Sequence, residues 1–171
     1  MLEKLFILLL IFIKILSADE VDLKMQKECN QDSIESYLGI YIVDFFGKSS
    51  SFYDKNLEEM IVSKNIGSEY IITKEEYKEP SWQDKEAIKN PIYKIECIKR
   101  YKEEGNVPDR NYSDFSGFGM NRDFIKLLKV YENKDDLEQS YHSGIFEIDN
   151  NDLWYFYRQT DVILVLKKVG N

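Results

Sequence analysis

His142 is the one histidine of this 171-residue chain. Ser140 and Ser143 flank it, without the Gly-x-Ser-x-Gly setting that exposes a nucleophilic serine on a sharp turn. The parts of an acyl-transfer site need not be close in sequence. A hydrolase with a dispersed site around His142 is therefore the catalytic expectation to weigh against two binding ones. Two acidic pairs, Glu75-Glu76 and Glu103-Glu104, stand beside lysines, the pattern of a solvated face rather than of an acid–base pair. Asp149-Asn150-Asn151-Asp152 has the oxygen chemistry of calcium but lacks the spaced ligands, central glycine and distant glutamate of a calcium loop. Its residues tolerate left-handed backbone and predict a turn. One histidine and two cysteines make no zinc set. The residue types thus predict a protein that is not an enzyme and needs no metal or cofactor.

Cys29 and Cys97 are the two cysteines. In an oxidising compartment an even pair reads as a disulfide, and two buried free thiols are the other reading. Such a bond closes a loop of roughly 70 residues, worth about 4 kcal/mol from loop-closure entropy. The chain opens Met1-Leu2-Glu3-Lys4 and then runs apolar from Leu5 to Ile13. Lys14 interrupts, and Ser17-Ala18 precede Asp19-Glu20. This is the layout of a signal peptide over residues 1–18, shorter than the roughly 20 apolar residues of a membrane span. An uncleaved anchor is the alternative. The expected destination is the exported space, secreted or periplasmic, with no membrane attachment after cleavage.

The chain carries 23 basic and 31 acidic residues. Losing Glu3, Lys4 and Lys14 with the leader leaves 21 against 30, a net charge of −9. Phosphate binding needs clustered Lys and Arg, so nucleic acid is excluded as a partner class, and anionic membranes with it. The part after the leader, about 150 residues, has the size of one domain. Residues 19–36 are charged and poor in large apolar groups, which predicts an irregular or short helical lead-in. The domain proper is expected over 37–171.

Its pattern is mostly β. Tyr37–Phe46, Glu69–Lys74, Ile92–Ile98, Gly144–Asp149, Leu153–Arg158 and Val162–Val169 are rich in β-branched and aromatic residues and bounded by turn residues. Leu57, Met60 and Ile61 lie at helical spacing between Asp54 and Gly67, which predicts a helix over 55–65. Glu75–Lys89 reads as loop, and Asn90-Pro91 as a turn. Phe124–Tyr131 fits both periods, and strand is the expectation because its downstream neighbours are strands. Val162–Val169 is apolar on both faces, as a strand covered on both sides is. Arg100–Asn121 is a long irregular stretch holding Phe115 and Phe118 between glycines. A loop that long in a compact domain often serves function. Asn111-Tyr112-Ser113 matches the glycosylation acceptor pattern. The predicted architecture is a small antiparallel β-barrel, whose closure removes the exposed sheet edges, with one short helix packed on it.

Gly39-Ile40-Tyr41 in the first strand, with Lys167 or Arg158 near the last, resembles the lipocalin-like barrels, or calycins. Those barrels carry Gly-x-Trp at the first position and pack a basic side chain across the Trp; here Tyr41 stands in its place. Ile88–Ile95, with Asn90-Pro91-Ile92-Tyr93 at its centre, is similar to small exported bacterial proteins of no assigned function. The barrel resemblance implies a binding cavity rather than chemistry. The first expectation is therefore an exported module that holds an apolar or amphipathic small ligand in its lumen. Tyr41, Phe115, Phe118, Trp154 and Phe156 are its candidate ligand contacts. The second expectation is an exported acidic factor, of inhibitor or immunity type, that binds a basic protein partner.

Overall fold

A computed structural model describes residues 20–48, 55–80, 86–99, 124–156 and 162–171. Residues 1–18, where a signal peptide is expected, Asp54, Trp82, Asn111, Phe115, Phe118, Tyr157 and Arg158 lie outside the described residues, and so does the stretch 100–121. The chain divides into two compact units, residues 1–32 and 33–171. In the first, residues 20–31 form helix α1. Of the two forms expected for this lead-in, the short helical one is observed.

Among the described residues, the second unit holds nine strands: β1 Gly39–Lys48, β2 Glu69–Ile72, β3 Glu76–Lys78, β4 Ile88–Lys89, β5 Ile92–Lys99, β6 Phe124–Tyr131, β7 Gly144–Asp149, β8 Asp152–Phe156 and β9 Val162–Gly170. Helix α2 spans Lys55–Asn65, α3 spans Lys134–Gln139, and a 3-10 turn, Ile34–Tyr37, precedes β1. The strands form one curled antiparallel sheet, a half-barrel, in the order β4-β3-β2-β1-β9-β8-β7-β6-β5. The expected fold class is thus the observed one. The strands β3 and β4 correct the expectation of a loop over Glu75–Lys89: they are three and two residues long, too short for any periodicity to show. Asp149 pairs with Asp152 across a two-residue turn, and Asn150 takes the left-handed conformation that turn requires (φ 57°).

The edges of this sheet are consecutive in sequence. Eight antiparallel steps separate β4 from β5 in the strand order, so the two run in the same direction. Only Asn90 and Pro91 lie between them. Three Cα steps of about 3.8 Å hold Lys89 and Ile92 within ~11 Å of each other. β4 and β5 are thus two successive strands joined by a two-residue link: β4 bonds to β3 and β5 to β6. Asn90 makes the bend in left-handed backbone (φ 50°), which Asn tolerates and most residues do not. Its N–H bonds to the Glu75 carbonyl at 2.9 Å, and the Tyr93 hydroxyl donates to the Thr73 carbonyl at 2.8 Å. The first bond continues the β3–β4 pairing, and the second ties β5 to the β2–β3 turn.

Side chains alternate across the sheet, as the pleat demands. The inner face buries Tyr41, Val43, Tyr70, Ile72, Tyr77, Leu128, Val130, Phe146, Ile148, Leu153, Val162, Leu164 and Leu166. Ile61 of α2 joins this cluster, with Leu57 against it, so the predicted helix covers the inner core. The outer face carries a second cluster around Ile125, Leu127 and Ile163, with Trp154 and Val165 beside it. That two-sided burial is why Phe124–Tyr131 fits both periods: as a strand it is buried on both faces. Lys129 is buried among these residues, its Nζ 3.3 Å from Glu96 Oε2.

Candidate functional site

The interior of the half-barrel is filled by rings. Phe146, fully buried, lies 5.9 Å from Tyr70, 6.2 Å from Tyr77 and 5.6 Å from Tyr155, and Tyr70 lies 5.7 Å from Tyr155. Offset and edge-on pairs at these spacings are the favourable aromatic geometry. Tyr41 is also fully buried, and its hydroxyl donates to the Tyr37 carbonyl at 2.9 Å. Burial, with Asp152 adding to it, pushes its pKa to about 12. Tyr41 thus acts as a core residue that ties the 3-10 turn to β1.

Of the other candidate ligand contacts, Trp154 does not join Tyr41. Trp154 is on the opposite face of the sheet, across from Val165 in the outer cluster. Tyr155 takes the inward position. Phe156 ends β8, paired with Ile163. Phe115 and Phe118 are outside the described residues. Cys29 and Cys97 are both disulfide-bonded, and no cysteine is free.

A site appears at the link between β4 and β5. As β4 turns away and β5 joins β6, the wall opens into a notch of about 720 Å³. One side is the β3–β4 hairpin, with Tyr77, Glu79, Glu86, Ala87, Ile88 and Lys89; the other is the β6–β7 connection, with Glu132, Asn133, His142 and Ser143. The volume falls in the ordinary range of ligand sites. Local chemistry fixes the second side. Asn133 caps α3 by accepting from the Asp136 N–H at 2.9 Å, and Ser140 closes the helix in left-handed backbone (φ 60°). The Ser143 N–H bonds back to the Val130 carbonyl at 2.7 Å.

Tyr77 forms the base of the notch. Its ring is in the core, and its hydroxyl donates to Glu79 Oε1. Burial first, and the Glu79 carboxylate second, raise its pKa well above the usual value. Residue 144 is glycine for a packing reason: a Cβ there would collide with the Tyr77 hydroxyl. Lys89, the one cation among the lining residues, is held by Glu76 at 2.6 Å. His142 Nδ1 is buried and has no hydrogen-bond partner.

The notch therefore unites an imidazole, hydroxyls and carboxylates, the combination that a hydrolase needs. The connections of a catalytic relay are a different matter: a base is oriented by one group and bonded to its nucleophile. Among the described residues, no hydrogen bond joins His142 to Ser143 or to a glutamate, and no group of three His, Cys, Asp or Glu side chains could hold a metal ion. No helix among them is long and apolar enough to cross a membrane.

Compared with protein families, with curated proteins and with solved structures, the chain matches none. Its site is thus read from its own residues. Sequence reasoning reached His142 but missed Tyr77, Glu79, Glu86 and Glu132. Asn90-Pro91, read as a turn, does separate β4 from β5; what no local signal gave is the pairing of those strands with β3 and β6.

Proposed function

We propose that this chain is an exported, non-catalytic binding module that engages a protein partner at the notch in its wall. The observation that carries this reading is the notch itself: a concave polar site beside an interior already occupied by side chains. The half-barrel is compatible with the lipocalin-like barrels that Gly39-Ile40-Tyr41 resembles, which would suggest a ligand in the lumen. Here Tyr70, Tyr77, Phe146 and Tyr155 take up that space, so the second of the two binding expectations gains. The disulfide supports an oxidising, exported destination, since cytosolic thiols are kept reduced.

The test compares the disulfide-bonded protein with Ser143→Trp, which puts bulk into the notch from an exposed position. Each is incubated with its host's exported fraction and analysed by native mass spectrometry. A partner protein held by the wild type and lost from the variant supports the reading. A partner held equally by both, or a small molecule retained by both, sends the binding site elsewhere and sinks it.

A further inference from the structure

We propose that two copies of this chain pair edge to edge along β5, antiparallel about a two-fold axis at Ile95. The proposal goes beyond the notch and does not depend on it.

β5 is an edge strand of eight residues, and among the described residues it pairs with β6 alone. Which of its backbone groups face outward follows from β6. The Val130 carbonyl accepts from the Ser143 N–H, so Val130 turns its bonding groups toward β7. Tyr93 is paired with Val130, and in such an antiparallel pair the bonding groups of the two residues point away from each other. The backbones of Tyr93, Ile95 and Cys97 therefore face away from β6, while those of Lys94, Glu96 and Ile98 bond to it. Among the described residues, no hydrogen bond reaches the backbone of Tyr93 or Ile95. The 3-10 turn packs near β5 but takes none of these bonds. Every residue from Ile92 to Ile98 is at least partly exposed, whereas β6 beside it is buried along almost its whole length. An open edge of this length is a template for another strand. The opposite edge is not, because β4 is two residues long.

The side chains select the occupant. Ile92-Tyr93-Lys94-Ile95-Glu96-Cys97-Ile98 is its own complement about Ile95. With the axis there, Ile95 meets Ile95, Lys94 meets Glu96 and Ile92 meets Ile98 of the second copy. The outward backbones coincide: Ile95 exchanges hydrogen bonds with Ile95, and Tyr93 with Cys97 of the second copy. Lys94 and Glu96 then fall in the closely spaced pairs between those bonds, where opposite charges stabilise a sheet. Moving the axis by one residue puts Lys94 opposite Lys94, or Glu96 opposite Glu96, and like charges repel. Lys94 has the freedom to reach across: its side chain is 54% exposed, and its Nζ is 3.9 Å from Glu96 Oε2 of its own strand. Lys129 Nζ approaches the same Oε2 at 3.3 Å, which leaves Oε1 for Lys94 of the second copy. The net negative charge of the chain opposes association, but at physiological salt charges farther apart than ~8 Å are largely screened. Two-fold pairing uses up the edge in both copies, so assembly stops at a dimer.

The test is sedimentation velocity of the intact disulfide-bonded protein over a concentration series in physiological salt, with amide hydrogen exchange followed by NMR. The protein should pass from monomer to dimer as concentration rises. The Tyr93 and Ile95 amides should exchange slowly in the dimer and fast on dilution, while the Lys94 and Glu96 amides, bonded to β6, stay slow throughout. Lys94→Glu sets like charges opposite each other at both Lys94–Glu96 pairs and should raise the dissociation constant roughly tenfold or more. Lys94→Arg should keep the dimer. Lys55→Glu makes the same change in net charge on exposed α2 and should leave association unchanged.

A chain that stays monomeric through the series overturns the proposal, and Lys94 then guards the edge against pairing. A dimer that Lys94→Glu and Lys55→Glu weaken alike also overturns it, since general charge then governs association. So does a dimer in which the Tyr93 and Ile95 amides remain fast, because its interface lies elsewhere. The exchange pattern is read on the unsubstituted protein, so the test holds even if Lys94→Glu disturbs the fold.

Discussion

Tyr77 does three jobs with one side chain. Its ring packs on Phe146, its hydroxyl positions Glu79, and it requires glycine at 144. Burial stabilises the neutral hydroxyl there and at Tyr41, so both folded pKa values are raised above the ordinary value of about 10. The sign follows from linkage. Below about pH 10 these tyrosines are protonated in both the folded and the unfolded chain, and their contribution to stability is intact. As the pH climbs past 10, the unfolded chain loses protons that the folded one keeps, and stability falls up to and beyond pH 12, the folded value for Tyr41. An alkaline titration that follows tyrosinate absorbance and near-ultraviolet circular dichroism together should show the buried tyrosines ionising as the fold is lost. Ionisation of Tyr41 and Tyr77 near pH 10, with circular dichroism unchanged, would contradict this.

The elements differ in how far their own residues specify them. Helix α2 was legible because Leu57 and Ile61 recur at helical spacing and both bury against the core. The chain from Gly144 to Gly170 was legible too, since its apolar alternation and the Asp149–Asp152 turn agree. Helix α3 is six residues long, buries none of them, and depends on its caps. Asn133→Ala removes the side chain that accepts from Asp136 N–H and should destabilise by about 1 kcal/mol. Because α3 holds up one side of the notch, the loss should also appear as faster amide exchange through 134–143. Unchanged exchange there would mean that the connection is held from elsewhere. Strands β3 and β4 stayed hidden for the opposite reason: nothing local makes three residues a strand, and their pairing with β2 and with each other does.

For the molecule as a whole, closure comes from a covalent route as well as from hydrogen bonds. Residues 88–99 pass from one sheet edge to the other through Asn90 and Pro91, and the curled sheet then encloses its own aromatic core. The disulfide adds a second constraint that acts mainly on the unfolded chain. Reduction, or a double Cys29→Ser and Cys97→Ser substitution, should lower unfolding free energy by about 4 kcal/mol in urea melts, given a loop of roughly 70 residues. A difference near zero would show that the unfolded chain is already restricted, or that the bond is strained in the fold.

The sequence by itself determined a mostly β chain, helix α2, the turn at 149–152 and an even cysteine pair able to bond. These depend on neighbours in the chain: alternation, turn residues and an even thiol count. Tertiary structure alone decided which apolar face of β9 points inward, that Trp154 faces out while Tyr155 faces in, and that the lumen is filled. It also decided the notch. Tyr77 meets Gly144 there, and Glu79 and Glu86 share a cavity with Glu132 and His142. Those partners lie far apart in the chain, and no pattern of residue types around any one of them carries information about the others. They come together because the chain bends between β4 and β5, where Asn tolerates left-handed backbone and Pro offers no hydrogen-bond donor, and the sheet wall opens at that bend.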